Sequence, residues 1–181
     1  VFSAWLLRVP ILIHEQNAFP GMANKWLGKI ATKVAVSFKE SKQFFPKNKV
    51  EVTGNMIHEK LCQPREDFAP PSKQPFKILI LGGSQGAHSI NLGIIEALDF
   101  LSDRKKILQI THQTGEADYE YIKNQYHEKG FDANVMSFIT DMHLQYRLAS
   151  LVICRSGATT IAEITAAGRV SALIPFPYAA N

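Results

Sequence analysis

The sequence predicts an α/β protein built on parallel β-sheets. In its second half, short apolar segments alternate with segments of helical periodicity, which is the pattern of βαβ units. The apolar segment at residues 78–81 is continuously hydrophobic, as expected for a strand covered on both faces. A proline-rich stretch over residues 63–75 suits neither helix nor strand and predicts a linker. We therefore predict one domain over residues 1–62 and a second over residues 76–181.

The elements of the first domain follow from local patterns. Apolar segments predict strands over residues 9–13, 33–37 and 50–53. Helical periodicity predicts a helix over residues 21–30 and a short helix over residues 39–45.

The second domain is predicted to contain five strands and four helices in regular alternation. The strands are predicted over residues 76–81, 106–111, 134–138, 151–154 and 171–174. The helices are predicted over residues 86–101, 116–128, 142–149 and 158–167.

The composition excludes several classes of protein. With 46% hydrophobic and 20% charged residues, the 181-residue chain can bury a core and is not a disordered segment. The two cysteines, Cys62 and Cys154, are far apart and lack zinc-site spacing, so we expect reduced thiols. No apolar segment reaches the roughly 18 residues needed to cross a bilayer, and no signal peptide is visible. Because the sequence starts at Val1 rather than Met and ends in a polar loop, we expect an internal fragment.

Basic residues concentrate in the first domain. The net charge is +4, and residues 25–49 contain seven lysines but a single acid, Glu40. Lys25 and Lys29 share a predicted helix face beside Trp26. This face is either a contact for an anionic surface, such as phospholipid headgroups or a pyrophosphate lipid, or a solvated lysine face. We predict no nucleic-acid partner.

A glycine-rich turn after the strand at 76–81 carries the strongest local motif, Gly82-Gly83-Ser84-Gln85-Gly86-Ala87. Glycines allow close backbone approach, and the following helix start presents free N–H groups and a positive dipole end, which predicts a phosphate-binding loop. It is not the dinucleotide fingerprint, because Ser84 and Ala87 replace two glycines. Two alternatives stay open: a nucleophile elbow with Ser84 as the nucleophile of an α/β hydrolase, and a purely structural turn.

Two further strings follow later strands. Arg155-Ser156-Gly157-Ala158 precedes a helix that carries Glu163, whose carboxylate can accept the hydroxyls of a ribose or simply favour the helix dipole. Residues 138–142, Phe-Ile-Thr-Asp-Met, could pair with a base edge through the backbone or cap a helix. Since ligands bind at the carboxyl edge of such sheets, the three strings together predict a nucleotide site.

In the first domain, four polar residues, His14-Glu15-Gln16-Asn17, follow the first predicted strand. Polar loops at this edge often carry function, although a hydrogen-bonded turn is the structural alternative. The string is not a HExxH zinc motif because residue 18 is alanine, and no metal site is predicted.

These strings, in this order and spacing, resemble the MurG family of bacterial N-acetylglucosaminyltransferases over essentially the whole chain. The resemblance implies the GT-B fold, with two Rossmann-like parallel-sheet domains of which the N-terminal one is truncated. It implies an inverting transfer of GlcNAc from UDP-GlcNAc to the C4 hydroxyl of MurNAc in undecaprenyl-pyrophosphoryl-MurNAc-pentapeptide (lipid I), in peptidoglycan synthesis. It also implies a peripheral enzyme on the cytoplasmic face of the bacterial inner membrane, with no cofactor and no active-site metal.

The resemblance also implies roles for single residues. Asn17 would contact GlcNAc, Ile139 would pair with uracil through its backbone, and Glu163 would hold the ribose. The full set of implied donor-binding residues comprises Asn17, His58, Ser84, Gln85, Gly86, Ile139, Met142, Ala158, Thr159, Thr160, Ile161, Ala162 and Glu163. The implied phosphate loop comprises Gly82, Gly83, Ser84 and Gly86.

Some features depart from the family or leave alternatives open. His58 stands where the family usually has arginine, and Thr140 replaces an acidic residue of the uracil loop. The general base is expected to lie before Val1, with His14 as a fallback, so the fragment alone is expected to be inactive. The alternatives are a UDP-GlcNAc epimerase of the same fold, the hydrolase with Ser84, and a nucleotide-sugar-binding subunit without catalysis.

Overall fold

The chain folds into two compact units in a computed structural model that describes residues 1–62, 75–82 and 87–176. The first unit ends at Met56 and the second begins at Ile57. The predicted linker falls almost wholly on residues 63–74, which lie outside the described residues.

The first unit is a three-stranded parallel sheet with helices. It contains the helices α1 (Phe2–Leu6) and α2 (Met22–Ile30), the strands β1 (Leu12–Glu15), β2 (Lys33–Val36) and β3 (Val50–Val52), and a 3-10 helix, Lys39–Phe44. The strand order is β1-β2-β3. Its core is formed by buried residues of the strands and their flanking segments, namely Ile11, Ile13, Ala31, Val34, Val36, Phe45 and Val50.

The second unit carries a five-stranded parallel sheet in which strands and helices alternate, as predicted. The strands are β4 (Phe76–Leu81), β5 (Leu108–Gln113), β6 (Ala133–Met136), β7 (Leu151–Arg155) and β8 (Ser171–Ile174). The helices are α3 (His88–Ala97), α4 (Tyr119–Lys129), α5 (Met142–Leu148) and α6 (Ala158–Ala167), with 3-10 helices at Glu59–Leu61 and Leu98–Ile107. Gly130 and Gly168 end α4 and α6 with φ of 67° and 62°, a left-handed conformation that glycine adopts without strain.

The strand order β6-β5-β4-β7-β8 puts the first strand of this unit, β4, at the centre. The chain builds outward from β4 through β5 to β6, then returns to the other side of β4 through β7 and β8. Leu81 pairs with Cys154 across β4 and β7, so the loops after both strands leave from one edge of the sheet. This point of reversal is where open α/β sheets bind ligands.

Three predicted elements are confirmed with the same limits: β4, α6 and β8. The predicted strand over residues 9–13 is wrong in its limits, because β1 pairs with β2 from Leu12 to Glu15. His14 and Glu15 therefore belong to the strand, and the loop begins after them.

The predicted helix over residues 86–101 also differs from the structure. Helix α3 ends at Ala97, and a 3-10 helix continues to Ile107. The following strand was predicted over residues 106–111, but the register with β4 pairs Phe76 with Leu108 and Leu81 with Gln113. The limits of β5 are set by its pairing with β4, and this pairing cannot be deduced from local periodicity.

The short segment after Met56 packs on the second unit, although we predicted the first domain to extend to residue 62. Leu61 is buried in the same cluster as Ile139 and Tyr146. Its burial explains why the chain leaves the first unit before the predicted boundary. Cys62 is exposed and Cys154 is buried, and both are free thiols, as expected.

Candidate functional site

The carboxyl edge of the second sheet forms a groove with a volume of about 330 Å³. Four of the predicted donor-binding residues line it: Ile139, Met142, Thr160 and Glu163. Seven further residues complete the lining: Leu81, Gln113, Phe138, Thr140, Tyr146, Cys154 and Arg155. The sheet therefore brings together the string after β6 and the string after β7, as the sequence predicted.

Other predicted site residues lie elsewhere or outside the described residues. Ala158, Thr159, Ile161 and Ala162 belong to α6 but do not line the groove. Gly82 is buried directly after β4. The remaining phosphate-loop residues, Gly83, Ser84 and Gly86, lie outside the described residues, so their predicted contacts with phosphate stay predictions. The predicted donor-binding residue Gln85 also lies outside them.

The carboxylate of Glu163 accepts a hydrogen bond from a buried phenol. It lies in α6, and the hydroxyl of Tyr146 in α5 donates to Oε2 of Glu163 over 3.0 Å. Tyr146 is only 1% exposed. Burial, reinforced by the charge of Glu163, raises the pKa of Tyr146 far above its ordinary value, so the phenol remains a hydrogen-bond donor.

Ile139, the residue predicted to pair with uracil, is buried at the groove. Its N–H donates to Oε1 of Gln113, at the end of β5, over 2.9 Å. This bond commits the N–H, so the carbonyl is the backbone group that Ile139 can offer to a base edge.

Sequence reasoning missed Gln113. The string His112-Gln113-Thr114-Gly115 places polar residues after the apolar part of β5, and it could have been found by the rule that identified the other strings.

Arg155 links three elements at the same edge. Its Nη2 donates to Oγ of Ser89 in the first turn of α3 over 2.7 Å, and its Nη1 donates to the carbonyl of Pro175 over 3.0 Å. The guanidinium also lies over the ring of Phe176, 5.6 Å from its centroid. A permanent positive charge thus lines the groove, next to the helix that follows the predicted phosphate loop.

His58 lies at the start of the 3-10 helix Glu59–Leu61, where its Nδ1 accepts a hydrogen bond from the N–H of Lys60 over 3.2 Å. Its ring stacks on that of His143 in α5, with centroids 5.5 Å apart and planes within 8°. Partial burial and the positive charges of Lys60 and His58 lower the pKa of His143, against the opposing effect of Asp141. His58, which stands where the family usually has arginine, is therefore one of two adjacent imidazoles.

In the first unit, Glu15 organises the polar string after β1. Its carboxylate is 2% exposed and accepts from both the backbone N–H and the side-chain amide of Asn17, over 2.9 and 3.2 Å. It also accepts from the amide of Asn24 over 2.8 Å. These bonds leave the side-chain carbonyl of Asn17 as the group directed away from Glu15.

His14 is held within the first unit. Its Nε2 lies 3.1 Å from the carbonyl of Gly54, which can only accept, so Nε2 carries the proton. Its Nδ1 is buried and has no partner among the residues that the structure describes. A general base needs its lone pair within reach of the acceptor hydroxyl, and the nitrogen of His14 that carries the lone pair, Nδ1, is the buried one.

The described residues contain neither a metal-binding cluster nor a membrane-spanning helix. Within residues 1–62, 75–82 and 87–176, no three His, Cys, Asp or Glu side chains are grouped closely enough to hold a metal ion. None of the helices in these ranges has the length and hydropathy required to cross a bilayer.

Both units match domains of known proteins. The profile of the glycosyltransferase family 28 C-terminal domain matches residues 77–181, and that of the family 28 N-terminal domain matches residues 1–36. A curated relative from Geotalea uraniireducens is 45% identical over the whole chain and is named UDP-N-acetylglucosamine--N-acetylmuramyl-(pentapeptide) pyrophosphoryl-undecaprenol N-acetylglucosamine transferase. The chain spans about half the length of the curated relatives it matches, 50% in this case.

Solved structures are similar to the chain over nearly its whole length. The crystal structure of Acinetobacter baumannii MurG is similar to 98% of the chain, which spans 49% of that protein, with 34% identity and a TM-score of 0.71. The UDP-GlcNAc 2-epimerase of Neisseria meningitidis is similar over 95% of the chain and 54% of its own, with a TM-score of 0.61. At 13% identity, the epimerase shares the fold alone.

The predicted fold class, two Rossmann-like parallel-sheet units of the GT-B type, is confirmed by the sheets and by these neighbours. The family profile covers more than half of the chain, and it includes every residue of the groove that lines the carboxyl edge of the second sheet. The chain therefore belongs to glycosyltransferase family 28.

Proposed function

We propose that the chain supplies the donor site of an inverting transferase that moves GlcNAc from UDP-GlcNAc to the C4 hydroxyl of MurNAc in lipid I, producing lipid II for the bacterial cell wall. The observation that carries the proposal is the groove, in which a carboxylate and a backbone carbonyl lie together at the point of strand reversal. Family membership and the names of the relatives support the same reaction.

Each part of the nucleotide has a matching group in this proposal. The carbonyl of Ile139 accepts from the N3–H of uracil, and Glu163 accepts from the ribose hydroxyls. The phosphate loop around Ser84 and the N-terminus of α3 receive the diphosphate. Asn17 contacts the GlcNAc, and His58 lies at the donor in place of the family arginine.

Inverting transfer is a direct displacement at the anomeric carbon. The acceptor hydroxyl loses its proton to a base as it attacks, and the bond to the UDP oxygen breaks with charge accumulating on the diphosphate. In this chain, the helix starts after β4 and β7 and the guanidinium of Arg155 are the positive groups that favour the departing diphosphate. We propose that the base lies outside this chain and that no metal takes part, as the family resemblance implies.

The acceptor is a lipid, and we propose that the first unit contacts the cytoplasmic face of the membrane. Trp26 and Met22 in α2 are 69% and 79% exposed. The ammonium of Lys29 lies 4.5 Å from the centroid of the Trp26 ring, so aromatic and basic groups share one face. Exposed aromatic and basic side chains together fit the interface of an anionic bilayer.

The test is transfer of radiolabelled GlcNAc from UDP-GlcNAc to lipid I presented in anionic vesicles, catalysed by the full-length protein that contains this chain and the proposed base. We expect labelled lipid product, and UDP release only when the acceptor is present. Formation of ManNAc from UDP-GlcNAc alone would contradict the proposal and favour the epimerase. Labelling of Ser84 by a fluorophosphonate would favour the hydrolase, and UDP-GlcNAc binding without turnover in either assay would favour a binding subunit.

A further inference from the structure

The contact between Tyr146 and Glu163 joins two elements of the second unit. Tyr146 is in α5 and Glu163 in α6, and the hydroxyl–carboxylate distance is 3.0 Å. The ring of Tyr146 is packed in the core with Leu81, Ile139 and Cys154, so its position is set by the sheet. The hydroxyl is thus a fixed donor at the floor of the groove.

Glu163 itself is less constrained than its partner. Its side chain is half-buried, and within the described part of the chain its Oε1 carries no hydrogen bond. A glutamate side chain has several rotatable bonds, and it loses considerable entropy when a ligand orders it. A donor that already holds Oε2 removes part of that loss before any ligand binds.

We propose that Tyr146 is a positioning residue for ribose recognition: its hydroxyl fixes the carboxylate of Glu163 so that Oε1 faces the nucleoside hydroxyls. The inference rests on the proposed donor site and adds a residue that determines selectivity for ribonucleotides. Because the phenol stays protonated, the bond persists whenever Glu163 is ionised.

The test compares the affinity of the protein for UDP and for 2′,3′-dideoxy-UDP, which lacks both hydroxyls. For Tyr146→Phe we expect UDP to bind about five- to tenfold more weakly, the loss expected from a single hydrogen bond. The dideoxy nucleotide, which cannot use the carboxylate, should lose less than about twofold in affinity, so the preference for UDP collapses. Glu163→Ala, which removes the accepting oxygens, should remove the same preference.

Tyr126→Phe is the matched control. Tyr126 is an equally buried tyrosine of the same unit whose hydroxyl bonds to His112, away from the groove. Loss of this phenol lowers stability but leaves the ratio of the two affinities unchanged. A general effect of removing a buried hydroxyl would instead alter both variants alike.

A measurement on the unmodified protein makes the test independent of how well the variant folds. With tyrosine labelled at the ring carbon that bears the hydroxyl, the Tyr146 resonance should shift on addition of UDP and remain in place with the dideoxy nucleotide. Equal shifts with both ligands, or an unchanged affinity ratio in Tyr146→Phe, would overturn the inference and leave the donor site intact. Equal affinity of the wild-type protein for both nucleotides would overturn the inference and the donor site together.

Discussion

His112 shows how single residues behind the groove are committed to structure. It is fully buried, with Nε2 3.0 Å from Oδ1 of Asn91 and Nδ1 2.9 Å from the hydroxyl of Tyr126. The amide of Asn91 donates to the carbonyl of Thr114 and to Asp118, so its Oδ1 must accept from Nε2–H of His112. Nδ1 then accepts from Tyr126, and both ring nitrogens are satisfied in the neutral form.

The chain of contacts continues to the first turn of α3. Asp118 accepts from Asn91 over 2.7 Å and pairs with His88 over 3.0 Å. Burial favours a raised pKa for Asp118, but the hydrogen bonds from Asn91 and His88 and the nearby charges outweigh it and hold the pKa below its ordinary value. The helix that follows the predicted phosphate loop is therefore anchored to the β5–α4 connection.

This burial predicts that acid destabilises the second unit. Burial lowers the pKa of His112 from 6.5 to about 4, against a smaller opposing effect of Asp118. Above pH 6.5 His112 is neutral in both states, whereas between 6.5 and 4 only the unfolded chain takes up the proton. The free energy of unfolding should therefore fall as the pH falls through this window, by about 1.4 kcal/mol per pH unit and roughly 3 kcal/mol in all.

Denaturant unfolding followed by far-ultraviolet circular dichroism, repeated between pH 7.5 and 4.5, measures this slope. His112→Gln should flatten it. His127→Gln, which removes an exposed histidine of α4, should leave it unchanged. An equal slope in wild type and His112→Gln would mean that His112 is not the group responsible.

At the residue scale, the sequence predicted the groups that face the groove better than those that support them. Glu163 was predicted because it lies on the helix that follows the string after β7, and Ile139 because the string after β6 matches the uracil loop that the family resemblance implies. Tyr146 and Gln113 were not, because Tyr146 resembles any core aromatic and Gln113 acquires its partner only when β5 and β6 are in register. The polar string after β5 could have pointed to Gln113, but the partners of both side chains depend on tertiary structure and leave no local pattern.

At the scale of elements, two helical glycines predict opposite effects of the same substitution. A Cβ on Gly28 of α2 would lie 2.5 and 2.9 Å from ring atoms of Phe45, which is 5% exposed. A Cβ on Gly93 of α3 would meet nothing within 4 Å. Helix α2 packs its glycine directly on an aromatic ring, whereas α3 presents its glycine to solvent.

We expect Gly28→Ala to destabilise the first unit by about 1–3 kcal/mol, because overpacking outweighs the gain in helix propensity. Gly93→Ala should stabilise the second unit by about 0.5–1 kcal/mol through helix propensity alone. Both tryptophans, Trp5 and Trp26, lie in the first unit, so their fluorescence during denaturation reports Gly28→Ala, and circular dichroism reports Gly93→Ala. A Gly28→Ala variant as stable as wild type would show that Phe45 moves aside freely.

The limits of an element could be predicted where a proline or glycine ends it. They could not be predicted where pairing with a neighbouring strand sets them. Pro175 follows β8 directly and Gly168 ends α6, and the predicted limits of both elements are confirmed. The limits of β1 and β5 depend on which residues of β2 and β4 they pair with, and their predictions were off by two or three residues at each end. Helix α1 was not predicted, since its five residues bury no side chain and present no helical stripe.

At the scale of the whole molecule, the two parallel sheets follow from the alternation of apolar and helical segments. Parallel order needs a crossover between strands, and each helical segment supplies one. The position of the site then follows from topology, because strand reversal at β4 brings the ends of β4 and β7 to one edge. The phosphate-loop contacts remain predictions at this scale, since residues 83–86 lie outside the described part of the chain.

We propose that this edge of the second sheet holds a uridine diphosphate, and a crystal structure of the protein with UDP would show whether it does. We expect uracil N3 within about 3.2 Å of the Ile139 carbonyl, and at least one ribose hydroxyl at the same distance from Glu163. A nucleotide bound away from the groove, or a groove that stays without nucleotide at saturating UDP, would contradict it.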